Sequence, residues 1–536
     1  KGTDSIYFTF PEVDTNCIVE YYLSMYQVKL ENVVWTYRDI QVQKEVPLLT
    51  GEYIWFPAGP VGPDESYTNL GNHFWCWAGA SKEVVNSSMT EQVGGMIRVF
   101  AKHVPAWTRE PYTLPDTSTL AEFWRYYSRN DYPTDARDEI AVDYAKGGEF
   151  QLMEREQQTL HTFADRFRSL PSQAEKVNAV YTWLQDSIIN TDYYDRPPYQ
   201  FFSTVGNGVS KFADYKRVTE PLNLRYGSWR SIDALFCDIL NDLGIEAYPM
   251  LMSGRNERTF QSQAGFFQYT RFIIAVKDSA GSYQFYTPGE WGLPAGMMHW
   301  ALEAADGIIC SDPPVIRRTT ASAPARNESF RTWSLKVSND HPVEGKLVEY
   351  DLNHKGRLYK VDLVHSAPDI GKQRFSDSLS RLVPGATVTL DYIRADSALG
   401  TPVISQATIS FPGAVSAEAG TISIKPLTYA GDYENPFSSP ARVNEIVFTY
   451  AWNQVDTVRI FCDEAKALAE IPADSSVVTQ AGRCSVKYMA DSSGVTAIRE
   501  FTVNKPRFAV EEYPEVRNLF KARASLSSQF VRFKIQ

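Results

Sequence analysis

The residue types in the middle of this chain that could carry covalent chemistry are cysteine and histidine. Between residues 150 and 311 they are Cys237, Cys310, His161 and His299. A thiol attacks only as thiolate, which needs an activating place such as a helix N-terminus and a base within hydrogen-bond reach. The clearest helix start here is Gly227-Ser228-Trp229-Arg230. Ser228 supplies an N-cap oxygen, and Ile232, Leu235, Phe236, Ile239, Leu240 and Leu243 follow at helical spacing, with Gly244 as the stop. Cys237 lies two turns inside that helix, about 120° from its apolar stripe at 100° per residue. It is therefore remote from the activating tip. Trp229 stands at the tip instead, and indole has one N–H donor and no nucleophilic atom.

Metal chemistry is no better served. Cys17, Cys76, Cys237, Cys310, Cys462 and Cys484 show neither CxxC nor zinc-type spacing, so no metal and no cofactor are expected. Cys462 and Cys484 fall on neighbouring strand-like segments; they are either a disulfide pair in an oxidising compartment or buried free thiols.

The elements that must position these residues are legible around them. Leu160, Phe163, Ala164, Phe167 and Leu170 share a helical face that ends at Pro171. Ser172 with Glu175 reads as a capping box opening a second helix, which buries Val177, Val180, Tyr181, Leu184 and Ile188. Strands follow the central helix at about 245–252, 267–277 and 282–287. Helices followed by an antiparallel sheet make an α+β unit.

Residues 1 to about 115, with Val28 and Leu30 in alternation and a turn at Pro60-Val61-Gly62-Pro63-Asp64, read as a β-sandwich. Residues 116–311 form the α+β core, 312–329 a Pro/Ser/Thr/Ala-rich linker, and 330–536 a second β-rich region. That last region includes strands at Leu335–Val337, Leu358–Val361, Thr387–Leu390, Ile446–Thr449 and Val531–Lys534, and one helix near 369–383. The fold class is multidomain α+β.

The core resembles the papain-related transglutaminase-like family. Leu224-Arg225-Tyr226-Gly227-Ser228-Trp229-Arg230-Ser231-Ile232-Asp233 is similar to the family's Gly-Asp-Cys-Lys-Asp run, and Gly244-Ile245-Glu246-Ala247 to its Gly-Ile-x-Ala. Tyr269-Thr270-Arg271-Phe272-Ile273 resembles its histidine strand, and Tyr286-Thr287-Pro288-Gly289 the strand end that carries its aspartate. The resemblance implies that Trp229, Arg271 and Thr287 occupy the three catalytic slots. None can do that work, since arginine stays protonated near neutrality and threonine has no imidazolium to stabilise. The implied protein is a pseudoenzyme.

Phe10-Pro11, Ile18-Val19-Glu20-Tyr21, Val104-Pro105-Ala106 and Glu110-Pro111-Tyr112 resemble the DUF3857-type β domain that precedes such cores in Bacteroidetes, here without its front. The stretch from Asn435-Pro436-Phe437 through Phe520 resembles the DUF3858-like domain that follows them. The implied location is extracytoplasmic, periplasmic or outer-membrane associated. The chain opens directly into strand-like sequence, as a processed or truncated start would.

A net charge of −11 with no basic stretch argues against nucleic acid, and no apolar run approaches the ~20 residues of a membrane helix. The expected role is a binding or scaffold component for a protein, peptide or glycan. Two further readings are an amide hydrolase or acyltransferase of the cysteine type with relocated residues, and a glycan-binding module. The candidate binding residues are Trp229, Arg271 and Tyr269 at the old site and Trp75 and Trp77 elsewhere. Trp229 either packs against Tyr269 or Phe272 or forms an aromatic plate beside the Arg271 cation. Trp75 and Trp77 share a strand face that suits a buried core as well as a sugar platform.

Overall fold

The computed structural model describes residues 35–55, 73–78, 88–93, 96–107, 110–114, 120–126, 154–193, 219–257, 260, 269–365, 368–415, 417–431, 434–491 and 494–535. Val28, Leu30, Phe10, Pro11, Ile18–Tyr21, Cys17 and the 60–64 turn lie outside the described residues. The molecule is multidomain and α+β.

The N-terminal part holds two three-stranded sheets. One has the order Trp35–Gln41, Leu120–Tyr126, His73–Ala78, and the other Leu48–Trp55, Met96–Val104, Ser88–Val93. Every pairing in them is antiparallel. The strand Leu120–Tyr126, expected in the core, is the middle strand of the first sheet. Trp75 and Trp77 lie on the strand His73–Ala78 and their side chains are outside the described residues.

The core begins with helices α1 (Glu154–Arg168) and α2 (Gln173–Ser187). The Ser172–Glu175 capping box is formed in both directions. After the short helix α3 (Glu220–Leu224) comes the central helix α4 (Trp229–Asp242), whose N-cap Ser228 accepts from the Ser231 N–H. Gly244, at φ +77°, ends its last turn, a conformation that costs glycine little. Ile232, Leu235, Phe236, Ile239 and Leu240 of α4 are buried against Val177, Val180, Tyr181 and Leu184 of α2 and against the sheet. That sheet runs Tyr283–Tyr286, Arg271–Lys277, Ala247–Met252, Asp306–Ile309, Val315–Arg318, all antiparallel.

Two expectations fail beyond the core. The 312–329 stretch contributes its strand Val315–Arg318 to the core sheet and runs into a strand that starts at Glu328. Its edge position needs only one paired neighbour, which a Pro-flanked four-residue strand can supply. Leu358–Val361 is helical, inside α5 (Asn353–His365). Burial of His354, Tyr359 and Lys360, spread around a helix that other elements enclose, outweighs the strand preference of a four-residue Leu-Tyr-Lys-Val run.

The C-terminal part is built on an eight-stranded sheet with the order Thr387–Arg394, Val403–Ala414, Pro342–Asp351, Glu328–Val337, Trp452–Cys462, Gly494–Val503, Gly482–Asp491, Ser475–Thr479. Only the central pair, Glu328–Val337 with Trp452–Cys462, is parallel. Helices α5, α6 (Pro368–Leu382) and α7 (Tyr513–Ser527) pack on it. The buried face carries Trp333, Leu335, Leu347, Ile409, Val458, Ile460 and Phe501.

Cys237, Cys310, Cys462 and Cys484 are buried and free. The Cys462–Cys484 pairing fails on register. Cys484 stands opposite Phe501, and Phe501 opposite Gln454, eight residues from Cys462. Eight residues of strand span about 26 Å at 3.3 Å each.

Candidate functional site

Two short strands bring the site together. Ile189–Asn190 and Tyr226–Gly227 pair in parallel, so the chain after each arrives at the same place. Beyond one lies Asp192, and beyond the other Ser228 and Trp229. The Asp192 carboxylate (Oδ2) accepts from the Trp229 backbone N–H at 2.8 Å. A first-turn amide of α4, free to receive a negative charge in a helix of this kind, is thereby occupied by the chain's own carboxylate.

The indole of Trp229 is half-buried. Its ring packs 5.2 Å from Phe272, and the guanidiniums of Arg271 and Arg230 lie 4.9 and 5.3 Å from its centroid. Arg271 opens the strand Arg271–Lys277, opposite Met252. Thr287 follows the neighbouring strand and is 1 % exposed; its Oγ1 has no hydrogen-bond partner among the described residues.

Gly289 fills the space between. A Cβ there would stand 2.5 Å from the Trp229 carbonyl oxygen, so only glycine permits this approach. Its N–H donates to Asp233 Oδ1 at 2.7 Å, and its carbonyl accepts from Asn190 Nδ2 at 2.6 Å. Gln185 fastens the same loop from α2: its Nε2 donates to the carbonyls of Pro288 and Glu290, and its Oε1 accepts from the Gly292 N–H. Asp233, one turn below Trp229, is fully buried, with Oδ2 unpartnered among the described residues. Burial pushes its carboxyl well above the usual range, against the lowering effect of the Gly289 N–H.

Glu290 is the residue that spacing did not reveal. Its Oε1 accepts from Arg271 Nη1 and its Oε2 from Arg357 Nη2, each at 2.6 Å. Burial alone would raise this carboxyl; Arg357 and Arg271 outweigh that and hold it below the ordinary range. Arg357 belongs to α5 and also donates to the Trp291 carbonyl at 2.9 Å and to the Tyr193 hydroxyl at 3.1 Å. The signal available beforehand was an acidic residue directly after Thr287-Pro288-Gly289, on a loop forced close to the helix tip. Its partner Arg357 was hidden by the strand reading of Leu358–Val361.

Trp229 and Arg271 are therefore in contact, and Thr287 precedes by two residues the glycine that presses on the Trp229 backbone. The Tyr269 ring lies 6.4 Å from that of Phe260, and Tyr269 and Trp229 both pack on the core cluster around α4. Among the described residues, the core's remaining thiols and imidazoles are held by other partners. The Cys237 Sγ donates to the Ala247 carbonyl, and burial, then Asp238, push its pKa well up. Burial pushes Cys310 up to about 12. His161 is exposed, with Asp242 and Arg168. His299 caps the short helix Trp300–Leu302 through Nδ1, which accepts from the Ala301 N–H; burial, then Arg357, lower its pKa to about 3. Among the described residues these thiols and imidazoles are held by separate partners and form no hydrogen-bonded thiol–imidazole pair. Among the described residues no group of three or more His, Cys, Asp or Glu could hold a metal ion, and no helix is long and apolar enough to cross a membrane.

Comparison with known proteins adds the following. Residues 420–531 match the family described as a Domain of Unknown Function with solved structure, DUF3858. Among solved structures, the chain is similar to a "putative protease" from Parabacteroides distasonis, at 13% identity and a TM-score of 0.43, over 93% of this chain and 75% of that one. It is also similar to a "putative cysteine protease" from Cytophaga hutchinsonii, at 11% identity and a TM-score of 0.18, over 48% of this chain and 78% of that one. No curated protein matches.

Proposed function

We propose that the protein is a non-catalytic relative of the transglutaminase-like enzymes, with a degenerate triad at Trp229, Arg271 and Thr287, acting as a binding or scaffold component. The observation that carries this reading is the tip of α4. An indole occupies the first helical position, a guanidinium paired to Glu290 stacks on it, and Asp192 takes the Trp229 amide. Such a site has no thiolate to attack an acyl group, a guanidinium where the enzymes place an imidazole base, and no free amide at Trp229 to receive an oxyanion.

The placement is extracytoplasmic, with a DUF3857-type region ahead of the core and DUF3858 behind it. The ligand is a protein, peptide or glycan that lies against the half-exposed Trp229 plate. The purified protein is to be treated with a thiol-directed electrophile before and after unfolding and assayed against a peptide amide library. Cys237 and Cys310 should label only after unfolding, and no amide should turn over. Native labelling of either thiol together with amide cleavage would overturn the reading in favour of a hydrolase. Peptide and glycan arrays, probed with the protein and with Trp229→Ala, test the binding half; signals that survive the substitution would move the ligand elsewhere.

A further inference from the structure

The contacts around the helix tip close on themselves. Trp229 carries Arg271 on its ring; Arg271 donates to Glu290; Glu290 accepts from Arg357; Arg357 donates to Tyr193. Tyr193 follows Asp192 in the short helix Thr191–Tyr193, and Asp192 accepts from the Trp229 N–H. The circuit enters α4 twice, through a side chain and through the backbone. It leaves the core once, at Arg357 of α5.

We propose that this circuit is a coupling device, through which events at the Trp229 plate are transmitted to α5 and the eight-stranded sheet. Three observations support it. First, the two oxygens of one carboxylate serve the two guanidiniums separately, so turning the carboxylate to suit one arginine displaces the other. Second, α5 is held to the same loop along its length. Arg357 donates to the Trp291 carbonyl, the Lys360 ammonium lies 5.9 Å from the Trp291 ring, and the His365 ring meets that indole edge-on at 4.0 Å. Third, α5 follows the strand Pro342–Asp351 after a single residue, Leu352, whose N–H donates to the Glu328 carbonyl. A shift of α5 thus pulls on two adjacent strands of the large sheet. A ligand that draws Arg271 away from Glu290 would loosen the hold on Arg357, and by reciprocity a disturbance of α5 would be felt at Trp229. The inference does not depend on whether the site binds or cleaves.

Amide hydrogen exchange on the full chain tests it, with Arg357→Met as the cut and Arg326→Met as the control. Arg326 crosses the same junction outside the circuit, reaching the Gly296 and Ala295 carbonyls. Arg357→Met should speed exchange in residues 228–236 on the order of tenfold, while Arg326→Met leaves them within about twofold of the parent, below the coupling range. Unchanged exchange at 228–236 in Arg357→Met, or an equal rise in Arg326→Met, would overturn the proposal. Should Arg357→Met fail to fold, Trp229→Ala reads the circuit in reverse. Faster exchange in residues 353–365 supports coupling, and parental exchange there sinks it.

Discussion

Glu290 and Asp456 each stand between two arginines, in different settings. Asp456 is in the middle of the eight-stranded sheet, flanked in register by Arg331 on one neighbouring strand and Arg499 on the other. Its Oδ1 accepts from Arg331 Nε at 2.6 Å and its Oδ2 from Arg499 Nη2 at 2.7 Å, and no side chain of the three is more than 2 % exposed. Gln454, Ser527 and the Gly431 carbonyl take further donors or acceptors. Burial alone would raise the Asp456 carboxyl, yet the two arginines hold it well below its ordinary range. The Glu290 cluster uses the same groups across two structural units, with Arg271 about one-third exposed at 32 %. Inside one sheet the motif fixes strands that hydrogen bonds already hold in register. Between units it connects a site to a helix.

The comparison can be broken first at its stronger member. Asp456→Asn leaves two guanidiniums buried without the carboxylate charge they share and should cost about 3–5 kcal/mol, read as a shift of the urea midpoint with unchanged slope. Glu290→Gln, where water can reach Arg271, should cost less, about 1–3 kcal/mol. Equal losses would mean that exposure does not separate the two clusters.

A third test uses a buried carboxyl without such partners. Burial, then Glu156, raise Asp238 to about 8. The folded protein therefore holds a proton that the unfolded chain releases near pH 4, so this group's contribution to stability declines as pH rises from about 4 to 8. Asp238→Asn should flatten that decline and stabilise the protein at pH 8.5 on the order of 1 kcal/mol; a thermal melt series across pH checks it. The smallest effect is expected from Trp229→Cys. It should gain no amide cleavage in a peptide assay, because Arg271 remains the neighbour and Asp192 still occupies the amide of residue 229.

What could be read beforehand is local. The Ser172–Glu175 box, the Ser228 cap, the Gly244 stop and the apolar face of α4 are encoded within a few residues of themselves, and the structure contains each. Trp229 and Arg271 meet because one opens α4 and the other opens the strand Arg271–Lys277 beside it. Glu290 and Arg357 were missed because their meaning lies in a contact 67 residues long in sequence. A loop carboxylate and a helix arginine are each ordinary until the fold brings them together. The β-like Leu358–Val361 run misled for a related reason: its helical state is fixed by Arg357, Tyr359, Lys360 and His365 meeting other elements.

The parallel seam of the large sheet bears on how the chain can be divided and built. Glu328–Val337 aligns with Trp452–Cys462 over ten residue pairs, while the DUF3858 match begins only at residue 420. A fragment cut at that point would carry Trp452–Cys462 with one side bare, an invitation to self-association along the open edge. During synthesis the hairpin from 328 to 351 must wait for more than a hundred further residues before its other neighbour emerges. Closure of this seam, a long-range event, is then the slow step expected in assembling the C-terminal half.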